Sequence, residues 1–221
     1  MTAPSRRTLT SYAKVRALLS WIRRGRRAFI PGRIRGLGYL DIGCGPNVSA
    51  AFINLDYDWK PGVDVVWDIT RGLPFASSSL KGIFTEHCLE HLAFAETEAV
   101  LREAHRILAP GGRIRVIVPD GEIYLAAYSR HRAGAEGEPA PYWESDRAGT
   151  WYTPILSVNR IFRAHGHRFI YDFETLRRML GDAGFAEAAK CAFGQGGDPI
   201  LLRDTGHRKG ESLYVEAVKP A

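Results

Sequence analysis

The sequence predicts one α/β domain built on a doubly wound, mostly parallel sheet. Two observations carry that expectation. From about residue 38 onward, short apolar runs alternate with helical stretches, and the first run ends in a glycine turn, Asp41-Ile42-Gly43-Cys44-Gly45-Pro46. Alternating strands and helices favour a parallel sheet with helices on both faces. Gly43 and Gly45 permit backbone angles that a side chain forbids, and they let a ligand approach the main chain.

Composition sets the outer bounds. At 221 residues the chain can bury one domain with a modest extension, and 45% hydrophobic with 24% charged residues is ordinary for a soluble protein. No run approaches the ~18 apolar residues of a membrane span, and the N-terminus lacks the pattern of a secretory signal. Cys44, Cys88 and Cys191 are too few and scattered for a disulfide framework, which points to a reducing cytoplasm. The net charge of +6 divides unevenly: residues 1–36 hold ten Lys and Arg and no acid, whereas residues 37–221 sum to −4. A basic leader therefore precedes a mildly acidic domain.

Within the leader, Tyr12, Val15, Leu18, Leu19 and Ile22 recur at helical spacing over Leu9–Arg27. Arg23, Arg24, Arg26 and Arg27 load the C-terminal end, where cations suit the helix dipole. Two readings stay open: a helix docked on the domain with its arginines solvated, or a basic amphipathic segment touching acidic membrane or RNA. Strands are then expected at Gly38–Ile42, Phe52–Asp56, Val63–Trp67, Gly82–Thr85 and Arg113–Val118. Between the last two, Ala95–Leu108 reads as a helix with Val100, Leu101, Ala104, Ile107 and Leu108 on its buried stripe, stopped by Pro110-Gly111-Gly112. Phe173–Leu180 is a late helix that Asp172 can cap and Gly181 or Gly184 can end. Glu187–Phe193 and Ser212–Lys219 read as an antiparallel edge pair. Residues 125–165 break the alternation and read as a lid-like insertion, with Trp143, Trp151 and Tyr152 either its core or a stacking surface for a sugar or base.

In order, YLDIGCGPN, NLDYD, VVWDITRGLPF, GIFTEHCLEHL, RILAPGGRIRVIVPD and HRFIYDFETLRRMLGDAGF resemble the class I S-adenosylmethionine-dependent methyltransferases. The resemblance runs from about Tyr39 to the C-terminus, poorly over 124–164, and is strongest to small methyltransferases encoded beside cell-surface polysaccharide genes. It implies a Rossmann-like, seven-stranded methyltransferase sheet with an antiparallel edge strand. It also implies S-adenosylmethionine as cofactor and S-adenosylhomocysteine as product. Asp41, Gly43, Cys44 and Gly45 match the first motif, where the glycine turn lies against the methionine part and the acid helps to hold its amino group. Asp56 matches the carboxylate that takes the ribose hydroxyls, a task suited to a pure acceptor, although Asp58 is near enough to take it instead. Asp68 matches the residue reading the adenine amino group, with Ile69 adding backbone and apolar contact. Glu86 and His87 fall where the methyl group and the acceptor meet.

Departures from the family pattern are physical clues. Pro46 intervenes and Asn47 replaces the third glycine. Only eleven positions separate Gly45 from Asp56, against ~20 in the dinucleotide fingerprint, so the first helix is very short or replaced by a turn. That counts against a nicotinamide site, whose pyrophosphate needs a helix N-terminus. His87-Cys88-Leu89-Glu90-His91 also fits the H-x-x-E-H zinc-peptidase pattern, but no third ligand follows at a suitable spacing, and His87 follows directly from a strand end. Glu90 and His91 are instead expected to bond within the helix start and support the cofactor loop. His87 and His167 are the candidate bases, in that order, with His165 and Arg168 as candidate acceptor contacts. The expected activity is methyl transfer to an O or N nucleophile of a small-molecule or carbohydrate-linked acceptor. An RNA methyltransferase gripping phosphate through residues 1–36, a non-catalytic binding module and a zinc hydrolase are the alternatives.

Overall fold

Each apolar run becomes a strand of one seven-stranded sheet. In the computed structural model, which describes residues 11–23, 30–34, 36–146 and 151–221, these are β1 (Tyr39–Ile42), β2 (Ile53–Asp56), β3 (Val65–Val66), β4 (Leu80–Glu86), β5 (Leu108–Pro119), β6 (Ala186–Cys191) and β7 (Ser212–Val218). Their order is β3-β2-β1-β4-β5-β7-β6. β1 to β5 pair in parallel, while β7 runs antiparallel to both neighbours, so the β7–β6 pair forms the antiparallel edge. The winding reverses between β1 and β4, the place where open α/β sheets leave a crevice at their carboxyl ends.

Burial follows from this topology. Leu40, Val65, Ile83 and Val116 are fully covered because a parallel sheet is packed on both faces. The helix α2 (Phe94–Ile107) buries the expected Val100, Leu101, Ala104 and Ile107, and Leu108 already belongs to β5. In the late helix α6 (Phe173–Asp182), Asp172 caps the start by accepting from the Thr175 amide at 2.8 Å, and Gly184 follows its end at φ 99°. Residues 43–52, between β1 and β2, form turns and no helix, as the short spacing required.

Two regions differ from the sequence expectation. The segment 125–165 contains helices: α3 (Gly121–Arg132), α4 (Trp143–Asp146) and α5 (Pro154–Arg163), with Tyr124 and Ala127 of α3, Ile161 of α5 and Ala140 forming a small core. Trp143 packs edge-on against Tyr152 at 6.0 Å, whereas Trp151 stays 65% exposed. In the N-terminal helix α1 (Ser11–Arg23), the contact is polar: buried Ser20 accepts from the Trp59 amide at 2.8 Å. Leu18, Trp21 and Ile22 remain in solvent. Arg24, Arg26 and Arg27 lie outside the described residues.

The 192–211 segment joining β6 to β7 was not foreseen as structure, yet it builds the front of the sheet. Arg115 on β5 is fully buried and grips it, donating to both Asp204 oxygens at 2.7 and 2.5 Å, to Glu216 at 2.8 Å and to the Gln195 carbonyl at 2.9 Å. Arg113 stands 3.6 Å from Glu216 and balances the second acid. Beyond this clamp, Arg203 donates to Asp41 at 2.7 Å and to the Asn47 carbonyl at 2.5 Å, and Thr205 donates to Glu86 through both its amide and its hydroxyl.

Removing one partner of a buried ion network leaves uncompensated charge. Arg115→Leu is therefore expected to lower unfolding free energy in urea by about 3–5 kcal/mol; an unchanged midpoint would contradict the clamp. Asp41 titrates differently. Burial pushes its carboxyl up to about 6 despite Arg203, so the folded state binds more protons than the unfolded state between about pH 4 and 6. Its contribution to stability falls as pH rises through that window, by about 3 kcal/mol. Relative to Asp41→Asn, wild-type protein should lose stability over that range and run level above it.

Candidate active site

The glycine turn forms because Gly43 and Cys44 both donate to the Leu55 carbonyl, at 2.8 and 3.1 Å, tying the end of β1 to β2. Gly43 sits at φ 75°, and a Cβ there would come within 2.6 Å of Cys88 Sγ. Gly45 sits at φ 55° with open space where a Cβ would project. In front of this turn lies a cleft of about 800 Å³ lined by Gly43, Gly45, Asp56, Asp58, Asp68 and Ile69 among others. Asp56 shapes the turn, accepting from the Gly45 amide on one oxygen and the Asp58 amide on the other, each at 2.8 Å, with Lys60 3.4 Å from both. Asp68 uses one oxygen to cap the following 3-10 turn, accepting from Thr70.

Asp41, Cys44 and Glu86 lie behind the cleft instead of on its wall. Asp41 faces Arg203 and Glu86 faces Thr205. Cys44 packs with Val63, Val66 and Trp59, and burial drives its thiol far above the usual range. These three side chains, expected from the sequence at the cofactor, do not line the cleft.

A second cavity of about 350 Å³ adjoins the first. His87, His91 and His165 line both, and Glu90, His167, Tyr124, Tyr142, Arg160, Arg208 and Glu211 line only the second. Glu211 is fixed by Tyr142 at 2.7 Å and Tyr124 at 3.3 Å. His87 takes φ 49° at the end of β4, which turns its ring so that Nε2 meets Ser212 Oγ at 2.8 Å and Nδ1 lies 3.4 Å from Glu90. Burial, with Arg208 adding, pushes His87 down to about 2, so the ring is neutral and a weak base. His167 Nδ1 donates to the Ile161 carbonyl at 2.7 Å, which fixes the tautomer and leaves the Nε2 lone pair toward the cavity. Burial lowers its pKa too.

The H-x-x-E-H segment does not form the expected helix start. Leu89–His91 is one 3-10 turn, and His87 precedes it with a left-handed backbone, so the two histidines do not share a helical face. Glu90 supports the structure through its main chain, whose carbonyl accepts from the Arg168 amide at 2.8 Å and the Phe169 amide at 3.2 Å. Its carboxylate is fully buried with no hydrogen-bond partner among the described residues, and burial pushes it up to about 8. Arg168, expected to hold an anion, instead pairs with Glu96 at 2.6 Å on the cleft rim. Arg203, Thr205, Arg208 and Glu211 were not expected at the site; their only sequence signal is polarity within the long β6–β7 connection.

The description "Methyltransferase domain" belongs to the family model that matches residues 45–116. No curated protein matches the chain. Among solved structures, an S-adenosylmethionine-dependent methyltransferase from Mesorhizobium loti is 18% identical, with 85% of this chain and 93% of that one covered at a TM-score of 0.51. A phosphoethanolamine N-methyltransferase from Haemonchus contortus, in complex with phosphomonomethylethanolamine and S-adenosylhomocysteine, is 14% identical. That comparison covers 92% of this chain and 52% of the other at a TM-score of 0.52. The chain thus carries a methyltransferase-domain match over residues 45–116 and has the fold of S-adenosylmethionine-dependent methyltransferases.

Proposed function

We propose that this protein transfers a methyl group from S-adenosylmethionine to an O or N nucleophile of a small-molecule or carbohydrate-linked acceptor, in the cytoplasm. The observation that carries this reading is the pair of adjoining cavities with His87, His91 and His165 in their shared wall. One cavity has the size and polarity of a nucleoside site, and the other, at about 350 Å³, suits a small molecule or one sugar unit better than a folded RNA. The carbohydrate choice rests on the resemblance to methyltransferases of polysaccharide gene neighbourhoods.

The cleft residues match the cofactor's chemistry. The bare backbone of Gly43 and Gly45 admits close approach of the methionine part. Asp56 and Asp58 offer acceptors to the ribose diol, and Asp68 and Ile69 flank the adenine. Bound there, S-adenosylmethionine supplies a methyl group activated by its sulfonium. The protein's own task is positioning, because holding the nucleophile in line at near-attack distance removes most of the entropic barrier. In that wall burial lowers the pKa of His87 and His91, so they exclude water without adding a charge that repels a sulfonium. Where the acceptor must lose a proton, His167 Nε2 is the better placed base, reversing the order expected from sequence.

Calorimetric titration tests the reading. Micromolar binding of S-adenosylmethionine and S-adenosylhomocysteine is expected, weakened about 10–100-fold in Asp56→Ala through loss of charge-assisted hydrogen bonds. Folded protein that binds neither ligand would overturn it.

The leader supports contact with an acidic membrane surface over RNA, because Leu18, Trp21 and Ile22 stand exposed beside basic residues. Wild-type protein should float with anionic vesicles, and Leu18→Ser combined with Trp21→Ser should not. Equal flotation of both proteins would dismiss this role.

A further inference from the structure

We propose that Glu90, His91 and His167 form a site for one divalent first-row cation of zinc type, in the wall of the acceptor cavity. Their ligating atoms lie within 4.8 Å of one another, and Glu90 Oε1 is 4.0 Å from His167 Nε2. Tetrahedral zinc with bonds near 2.0–2.1 Å holds its ligands about 3.3 Å apart. The ligating atoms therefore need to close by up to about 1.5 Å.

Three further observations point to a cation. Both Glu90 carboxylate oxygens are buried and lack a hydrogen-bond partner among the described residues, a costly arrangement unless something else satisfies them. His167 donates Nδ1–H to the Ile161 carbonyl at 2.7 Å. Metal-ligating histidines are usually oriented by this kind of outer hydrogen bond, which leaves the other nitrogen as a lone-pair donor. Three protein ligands beside an open cavity leave a fourth position for an exogenous oxygen or nitrogen. The third ligand lies 76 residues beyond His91, and the 164–172 strand of chain brings it in by bonding the Arg168 and Phe169 amides to the Glu90 carbonyl.

On the methyl-transfer reading, the open position would hold the acceptor's nucleophilic atom facing the cofactor cleft, and His167 would then be a ligand and not a base. The competing partners of the Glu90 carboxylate are His87, whose Nδ1 lies 3.4 Å from Oε1, and Arg208, which lines the same cavity.

The test is zinc titration of the full chain after chelation, by calorimetry, with cobalt absorption as the spectroscopic signature. One zinc per chain is expected, with a four-coordinate cobalt spectrum. His167→Ala and Glu90→Gln should each weaken binding at least about 100-fold while leaving circular dichroism and S-adenosylhomocysteine affinity unchanged. His207→Ala, a cavity residue outside the ligand set, should bind zinc as wild type does. No zinc uptake by wild-type protein, or uptake that survives both ligand substitutions, would overturn the proposal. Because S-adenosylhomocysteine binding is read on the same samples, failure of the metal site stays distinct from failure of the methyltransferase reading.

Discussion

The buried Arg115 clamp is the constraint on which the site depends. A guanidinium in the middle of a parallel strand is tolerable only if its donors are satisfied, and the 192–211 segment exists in its observed path because it brings Asp204 and the Gln195 carbonyl to do so. Bidentate geometry fixes orientation as well as energy. Once that segment is anchored across the carboxyl ends of β1 and β4, Arg203 lands on Asp41 and Thr205 on Glu86. Arg208 and Glu211 then reach the second cavity. An interaction at the far side of β5 thus sets the floor of one cleft and the wall of the other.

The division of labour between the cavities follows from burial. Acidic groups at the cleft face a turn rich in backbone donors, so Asp56 is held by amides and by Lys60. In the second cavity burial lowers the pKa of His87 and His167, and the Glu90 carboxyl beside them has no hydrogen-bond partner among the described residues. Methyl transfer asks for geometry first and for charge stabilisation second, and a rigid wall at strand ends supplies the first. The unsatisfied Glu90 is a local cost in the cavity wall, and such costs concentrate where function demands them.

Much of the fold was legible in the residues. Period and punctuation gave the strands to within a few positions, because parallel strands buried on both faces are continuous apolar runs bounded by glycine, proline and aspartate. The Gly45-to-Asp56 spacing foretold the missing first helix. The cleft was legible only where it is local: Asp56 ends its strand, Gly43, Gly45, Asp68 and Ile69 follow theirs within three residues, and all could be placed by counting. Arg203 acts on Asp41 across 162 positions and His167 approaches Glu90 across 77, contacts that only the tertiary path creates. Arg115 was hidden for another reason. In the run Arg113-Ile114-Arg115-Val116 it reads as the solvent side of an alternating strand, and nothing local announces that a later segment will cover it.

The most direct test of the two-cavity account is a crystal structure with S-adenosylhomocysteine. The account places the ribose at Asp56 and Asp58, the adenine by Asp68 and Ile69, and the sulfur at the wall shared by His87, His91 and His165, facing the smaller cavity. A ligand bound elsewhere, or bound in the cleft with its sulfur turned away from that wall, would contradict it.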